Sequence, residues 1–409
     1  AIFIKRKDSK KECRVYYSDK WGLREEKYKW LLKKDIKITK WQRLSPKSEF
    51  YLFIPRDEKL LQNYEKHPKI TEIFPVNSVG IVTSRDKFVI AFDKETLKRR
   101  IRMFCDKGMP DEIIKKTFGL RDKANWKLKT AREAIRTDKN WKDAIKQILY
   151  RPFDIRWIFY HNEVIERSRR EIMHHVFESL FANNTICPLY LYPEMVEPKK
   201  TPSVTPMMLF ESRADYKTRI PNLSPEIVEL LNNAYKKIST PEQILFYIYS
   251  ILYSNTYRKE YAEFLKIDFP RIPFTKDHRL FSKMAEYGKK LVDLHLLKSK
   301  DFDRVTAKFY GRGNEKVEKL KYEEKTKRVF INPSQYFEGI TKEIWKYQIG
   351  GYQVCHKWLK DRKGRRLTLS DIKHYCKIVT ALQKTIEIQK EIDKIYPKVE
   401  KNVQAINPK

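Results

Sequence analysis

The sequence predicts a mixed α/β chain of the α+β kind: strands and hairpins first, a helical section next, and one long helix near the C-terminal end. Three observations carry this. Residues 153–160 alternate in period two, the spacing of a strand. Ser224-Pro225 and Thr240-Pro241-Glu242-Gln243 are helix starts, each with a capping hydroxyl and proline at the first helical position, and Gln243 completes a capping box. From Ser370 onward, Ile372, Tyr375, Val379, Leu382, Ile386 and Ile392 recur at helical spacing. Some 24 such residues would make a spacer rod of roughly 36 Å.

Taken in order, Phe50–Ile54 before Pro55 reads as a buried strand. Val79–Thr83, Ser84-Arg85-Asp86 and Lys87–Phe92 read as a hairpin. Residues 94–151 carry 18 Lys/Arg against 8 acids and look largely helical, with Asp111-Glu112 placing acid at a helix start and Ala131–Leu149 repeating apolar residues at helical spacing. In the strand that follows, Phe153, Ile155, Trp157 and Phe159 form the strongly apolar face. His161-Asn162-Glu163 is a turn, Val164-Ile165 begins a return strand, and Ser168–Glu171 is a capping box that opens a helix through Leu180. Seven prolines between 188 and 225 mark an inserted loop or domain boundary. The helix opened at Thr240 runs through the Tyr/Ile-rich stretch to Tyr253, Pro270 and Pro273 break the chain, and Phe281–Leu297 is another helix. Gly311-Arg312-Gly313 and Gly350-Gly351 are turns, with a strand at Val329–Ile331 between them.

Composition constrains partners more than fold. Lys and Arg exceed Asp and Glu by 34 in 409 residues, and the usual partner of such an excess is a polyanion. Hydrophobic residues at 41% exclude a disordered tail, and 11 glycines exclude collagen-like and Gly-rich linker classes. Five scattered cysteines without C-x-x-C point to free thiols in a reducing compartment, and hence to the cytoplasm. The longest apolar run, Ile244–Tyr253, falls short of a membrane span. Ala1–Ile4 followed by Lys5-Arg6-Lys7 is no secretory leader, and a start without Met suggests a piece of a longer polypeptide.

Catalytic apparatus is hard to find. Gly311-Arg312-Gly313 is the sole G-x-G, but no buried parallel strand precedes it, so it reads as a plain turn rather than a phosphate cradle. Asn332-Pro333-Ser334-Gln335-Tyr336 lacks the second proline of an amino-methylating motif, and reads as a strand-to-helix turn capped by Asn332. Cys355, His356, His374 and Cys376 match no zinc spacing, and His174-His175 reads as helix surface. No catalytic residue, metal ligand or cofactor is therefore expected in this chain. Basic features are stronger. His356–Arg366 holds Lys357, Lys360, Arg362, Lys363, Arg365 and Arg366 against Asp361 alone, a turn suited to phosphates or else a solvated loop. Arg151, Arg156, Arg167, Arg169 and Arg170 are all arginine, which forks onto guanine edges or phosphates. For Arg151 and Arg156 a structural role, with Arg156 and Asp154 fixing the strand through neighbours, is the rival reading; Trp157 and Phe159 are simplest as core.

At these residues the chain resembles a known family. Tyr150–Tyr160, Glu166–His175, Ile244–Leu265, Asp268–Pro273, Trp345–Val354 and Trp358–Arg365 are similar to the C-terminal specificity (target-recognition) domain of type ISP restriction–modification enzymes. The resemblance runs from about Val76 to Ile395. The part before it, with Tyr17-x-x-x-Trp21-Gly22 and Pro46–Pro55, resembles the tail of the preceding adenine methyltransferase domain. Gly80–Ile90 resembles the start of target-recognition domains in related methylases, in which glycine commonly stands where this chain has Ser84.

The resemblance implies 1–75 as that methyltransferase tail, 76–395 as the recognition domain with a Pro-rich break near 188–225 and a helical section from 224, and 396–409 as a C-terminal tail. It implies a parent that methylates adenine N6 with S-adenosylmethionine and cleaves unmodified DNA with Mg²⁺, sometimes with a helicase-like motor. This chain would read an asymmetric site in double-stranded DNA without catalysing anything alone, its partners being DNA and the methyltransferase and nuclease domains of the same polypeptide. The rivals are an intact enzyme with a hidden nuclease site and an RNA-binding or assembly module with a basic docking face.

Overall fold

The computed structural model describes residues 13–20, 24–46, 53–55, 57–168, 186–191 and 219–404. The chain divides into two compact units, Ala1–Glu65 and Lys66–Lys409. In the first, β1 (Val15–Tyr17) and β2 (Gln42–Leu44) pair antiparallel, with Val15 opposite Leu44, around α1 (Arg24–Lys33) in sequence; α2 (Glu58–Glu65) closes the unit. Phe53–Pro55 are irregular, and the rest of the strand expected there lies outside the described residues.

The second unit begins with α3 (Ile70–Ile73), α4 (Asp86–Val89) and β3 (Ile90–Ala91). The hairpin expected over 79–92 is absent. Ser78 bridges Ile186 and Val82 bridges Arg167, so this segment finds its partners far along the chain, and Ser84 turns it at φ 52. Helices α5 (Lys94–Cys105), α6 (Asp111–Phe118) and α7 (Leu128–Thr137) follow, α6 starting at Asp111-Glu112 as expected. Their apolar faces meet in a core built on Phe88, Ile101, Phe104, Phe118, Ile135, Ile148 and Ile158. Phe88 is central to it, with ring centres 4.6 Å from Phe104 and 5.0 Å from Phe118.

The expected helix through Leu149 stops at Thr137, and the chain becomes β4 (Ile145–Arg151), which pairs with β5 (Asp154–Phe159). Ile145 and Ile148 satisfy a helical spacing equally well; pairing with β5, through Ile145 opposite Phe159, decides for the strand. In the three-stranded sheet β5 is central, between β3 and β4. Its burial departs from the expected face: Phe153 and Phe159 are buried but Ile155 is exposed, while Asp154 and Ile158 of the opposite face are buried, so each face is covered over only part of its length. Val164 and Ile165 form no return strand, and the helix expected from Ser168 lies outside the described residues.

After β6 (Tyr190–Leu191) and β7 (Ile220–Pro221), a helical section holds α8 (Pro225–Tyr235), α9 (Pro241–Tyr253), α10 (Asn255–Glu260) and α11 (His278–His295). The Thr240–Gln243 capping box forms on both sides. Helix α9 lies hard against α11 because Gly288 leaves room: a Cβ there would sit 1.7 Å from the Phe246 carbonyl oxygen. Buried phenols donate hydrogen bonds to the proline-broken segment, Tyr247 to Pro273 O (2.6 Å) and Tyr257 to Arg271 O (2.8 Å).

A four-stranded antiparallel sheet follows: β8 (Lys308–Tyr310), β9 (Lys321–Glu323), β10 (Arg328–Phe330) and β11 (Tyr336–Glu338), in order β8-β11-β10-β9. Asn332 therefore caps no helix; it lies between two strands, accepting from Ser334 N and Gln335 N. Then come α12 (Lys342–Lys346), β12 (Gln348–Ile349), β13 (Tyr352–Gln353), α13 (Val354–Lys360) and α14 (Leu369–Lys401). The 33-residue α14 is about 50 Å long, and its cap is Thr368 with Asp371, two residues before the expected Ser370. It is no free spacer: Tyr375, Val379, Leu382, Ile386, Ile392 and Tyr396 are buried along it. Among the described residues no helix is long and apolar enough to cross a membrane.

Candidate nucleic-acid interface

The β4–β5 turn is Pro152-Phe153, with Phe153 at φ 60. An aromatic side chain in the left-handed region is costly, and burial holds it there. Phe153 leaves the core of its own sheet and enters that of α11, α13 and α14, where its ring centre is 5.8 Å from His295. His374 Nε2 donates to the Phe153 carbonyl oxygen at 2.7 Å. Burial pulls the His374 pKa down, which suits an imidazole serving there as a neutral donor.

This insertion brings together cations some 200 residues apart in sequence. Arg156 Nη2 reaches Asp154 at 2.6 Å and Asp361 at 3.0 Å; Arg362 Nη2 reaches Asp154 at 2.9 Å. Lys357 Nζ lies 2.5 Å from Asp361, and Arg151 Nε 3.5 Å from it. Asp154 is 2% and Arg362 6% exposed. Burial lowers the Arg362 pKa, and Asp154 opposes that by favouring the charged guanidinium. Carboxylates thus occupy Arg156, Arg362 and Lys357, while Arg151 lies 4.3 Å over the ring of Tyr352. On sequence grounds Asp154 and Arg156 are weighed as fixing the strand through neighbours; Asp361 and Arg362, the long-range partners, carry no local signal.

The rest of the turn points outward. Lys360, Lys363, Arg365 and Arg366 are exposed. Arg366 Nε donates to Asn314 O at 2.8 Å and its Nη2 lies 4.0 Å from Glu315, although the side chain is 72% exposed. Arg365 lies 4.1 Å over the ring of Phe92, which also receives Arg156 at 4.3 Å. Phe92 precedes α5, whose Lys94 lies 5.2 Å from the ring of Trp157. Phe92 therefore joins the basic turn to the start of the basic 94–151 stretch. Within that stretch several cations serve the fold: Arg132 holds Phe104 O (2.7 Å) and Met109 O (2.9 Å), and Arg100 holds Ile90 O (2.7 Å). Lys94, Arg99 and Arg102 are exposed. Arg167 is exposed elsewhere, beside Val82. Arg169, Arg170 and His174-His175 lie outside the described residues.

The motifs set aside on sequence grounds have structural roles. A Cβ on Gly311 would lie 2.0 Å from Ser334 O, so this turn packs on the β10–β11 connection instead of cradling a phosphate. Asn332 Nδ2 donates to Lys316 O and Gln335 Oε1, which leaves its amide engaged. Neither arrangement fits a methyl donor or a target base. Cys355 and Cys376 are buried thiols, and the described residues contain no group of three or more His, Cys, Asp or Glu suited to a metal.

The family model described as Type ISP C-terminal specificity domain matches residues 72–182 and 174–391. Similar solved structures include a nuclease-deletion mutant of the Type ISP restriction-modification enzyme LlaGI in complex with a DNA substrate mimic, at 19% identity and TM-score 0.64, covering 94% of this chain and 33% of that one. The DrdV–DNA complex matches at 18% identity and TM-score 0.64, covering 90% and 41%. The ATP-dependent Type ISP enzyme LlaBIII bound to DNA matches at 18% identity and TM-score 0.62, covering 86% and 25%. The chain thus spans between 25% and 41% of the length of these structures, and at such identities the likeness is one of fold. No curated protein sequence matches the chain.

Proposed function

The chain belongs to the Type ISP C-terminal specificity domain family, and from that premise we propose that it is the double-stranded DNA recognition module of a restriction–modification enzyme acting in the cytoplasm. The parent would methylate adenine N6 and cleave unmodified DNA, drawing S-adenosylmethionine and Mg²⁺ to its methyltransferase and nuclease domains. Residues 1–75 would belong to the methyltransferase tail and this chain alone would catalyse neither step.

One observation carries the reading. The basic turn after α13 and the start of α5 meet at Phe92, so exposed cations from two distant segments share one surface. Lys360, Lys363, Arg365 and Arg366 with Lys94 are suited to neutralising phosphates. Arg151, Arg156, Lys357 and Arg362 hold that surface in place, because their charge is already committed to Asp154 and Asp361 or to a tyrosine ring. Arg167, exposed by Val82, is a separate contact candidate.

The test is duplex affinity against salt. Each neutralised phosphate contributes about 0.9 to the slope of log K on log salt. Replacing Lys360, Lys363, Arg365 and Arg366 together by Ala is expected to lower the slope by about 3 to 4. A wild-type slope near zero, or a slope unchanged by the substitutions, would defeat the assignment.

A further inference from the structure

The β12–β13 hairpin is the part of this surface least explained by the fold. Its two strands are two residues each, Gln348 paired with Gln353 and Ile349 with Tyr352. Gly350 and Gly351 form the turn at φ 58 and 81, the two positive values of a tight hairpin that matches strand twist. A Cβ added to either glycine meets nothing within 4 Å, so the tip stands in open solvent. Ile349 packs on the core, and Tyr352 receives the Arg151 guanidinium at 4.3 Å. That face is therefore backed, and backed by the ionic cluster itself, since Arg151 also approaches Asp361.

The other face carries two glutamines directly opposite each other. Gln348 is exposed and Gln353 half-buried, and neither side-chain amide has a hydrogen-bond partner within the described residues. Directly paired residues place their Cβ atoms about 5 Å apart, within reach of neighbouring base pairs. A two-stranded ribbon fits the major groove, and glutamine bonds adenine N6 and N7 in a bidentate way. Gln353 also leads straight into α13, whose far end opens the basic turn. The basic turn and the pair of amides thus flank one short helix.

We propose that this hairpin enters the major groove and that Gln348 and Gln353 determine part of the recognised sequence, by contacting adenines. The proposal rests on the DNA-recognition reading above and assigns a separate task within it: the lysine-rich turn supplies affinity, the hairpin supplies discrimination.

The experiment selects bound duplexes from a randomised pool with the full chain, comparing wild type, Gln348→Ala/Gln353→Ala and Lys360→Ala/Lys363→Ala. The glutamine variant is expected to lose preference for adenine at one or two positions by roughly 5- to 150-fold. Its salt slope and melting temperature should stay those of wild type, because the changed side chains bond nothing in the fold. The lysine variant is expected to bind all sequences more weakly with the preference intact. An unchanged preference in the glutamine variant overturns the hairpin assignment. So does wild-type duplex binding without sequence preference, which leaves the phosphate-contact reading standing. Absence of any duplex binding overturns both.

Discussion

Asp154 shows what a single residue does in this molecule. It is buried, bonds Arg156 and Arg362, and so ties a strand to a helix end 208 positions away. Removing one partner of a buried ion pair leaves the other charge uncompensated, typically at 3–5 kcal/mol. Asp154→Ala is therefore expected to destabilise the fold by about 3 kcal/mol or more in urea titration. Arg366→Ala, at a side chain that is 72% exposed and holds only Asn314 O and a surface pair with Glu315, should cost no more than about 1 kcal/mol while lowering DNA affinity. If both variants melt alike, the division between holding and contacting arginines is wrong. Lys236 is a simpler case: it ends α8 at φ 49, where glycine avoids the Cβ clash. Lys236→Gly should raise stability by about 1 kcal/mol, seen as a higher melting temperature. Ser84 at φ 52 shows the same demand, although its hydroxyl also bonds Glu166.

Among the elements, α14 and the β4–β5 hairpin show where local pattern suffices and where it does not. The heptad-like run through Tyr375, Val379 and Leu382 was readable because all three face one core. The start was displaced because Ser370 and Thr368 are both good caps, and only Thr368 has an acid three residues on that bonds back to its amide at 3.0 Å. Thr368→Ala should cost about 1 kcal/mol, whereas Ser370→Ala should be nearly neutral; equal losses in chemical denaturation would contradict the capping box. Ile145–Leu149 carried a helical spacing and became a strand, since its partner β5 is contributed by later chain. For the same reason the alternation in β5 located the strand yet misjudged its faces: α14 and the turn after α13 cover the side bearing Asp154.

At the scale of the whole molecule, stability should pass through a maximum in mildly acidic solution. His67 and His295 are each lowered to about 4, both mainly by burial. They stay neutral in the fold, so unfolding takes up protons and stability falls as pH drops from 6.5 toward 4. Glu260 is raised to about 7 by burial and by Glu400, so the fold holds its proton first and stability rises as pH drops from 7 toward 4.5. Two histidines outweigh one glutamate below 6.5, which places the maximum near there. Urea midpoints at pH 8, 6.5 and 5 should be highest at 6.5. Glu260→Gln should flatten the alkaline limb, and a profile that falls steadily from pH 8 would contradict the sign.

Much of the molecule is legible in one dimension because its causes are local. A capping box, a proline at a helix start, a Gly-Gly turn and a charge excess of 34 act over a few residues or over none in particular. They settle the α+β class, the helical section and the strongly basic character of the chain. The fate of each cation is a different matter. Arg362 and Lys363 are neighbours in the chain, one sealed against Asp154 and the other in water. Coulomb and desolvation energies depend on distance and on surrounding water, and both are set by segments brought together from opposite ends of the domain. Folding alone decided which charges were spent on the protein and which remain for a partner.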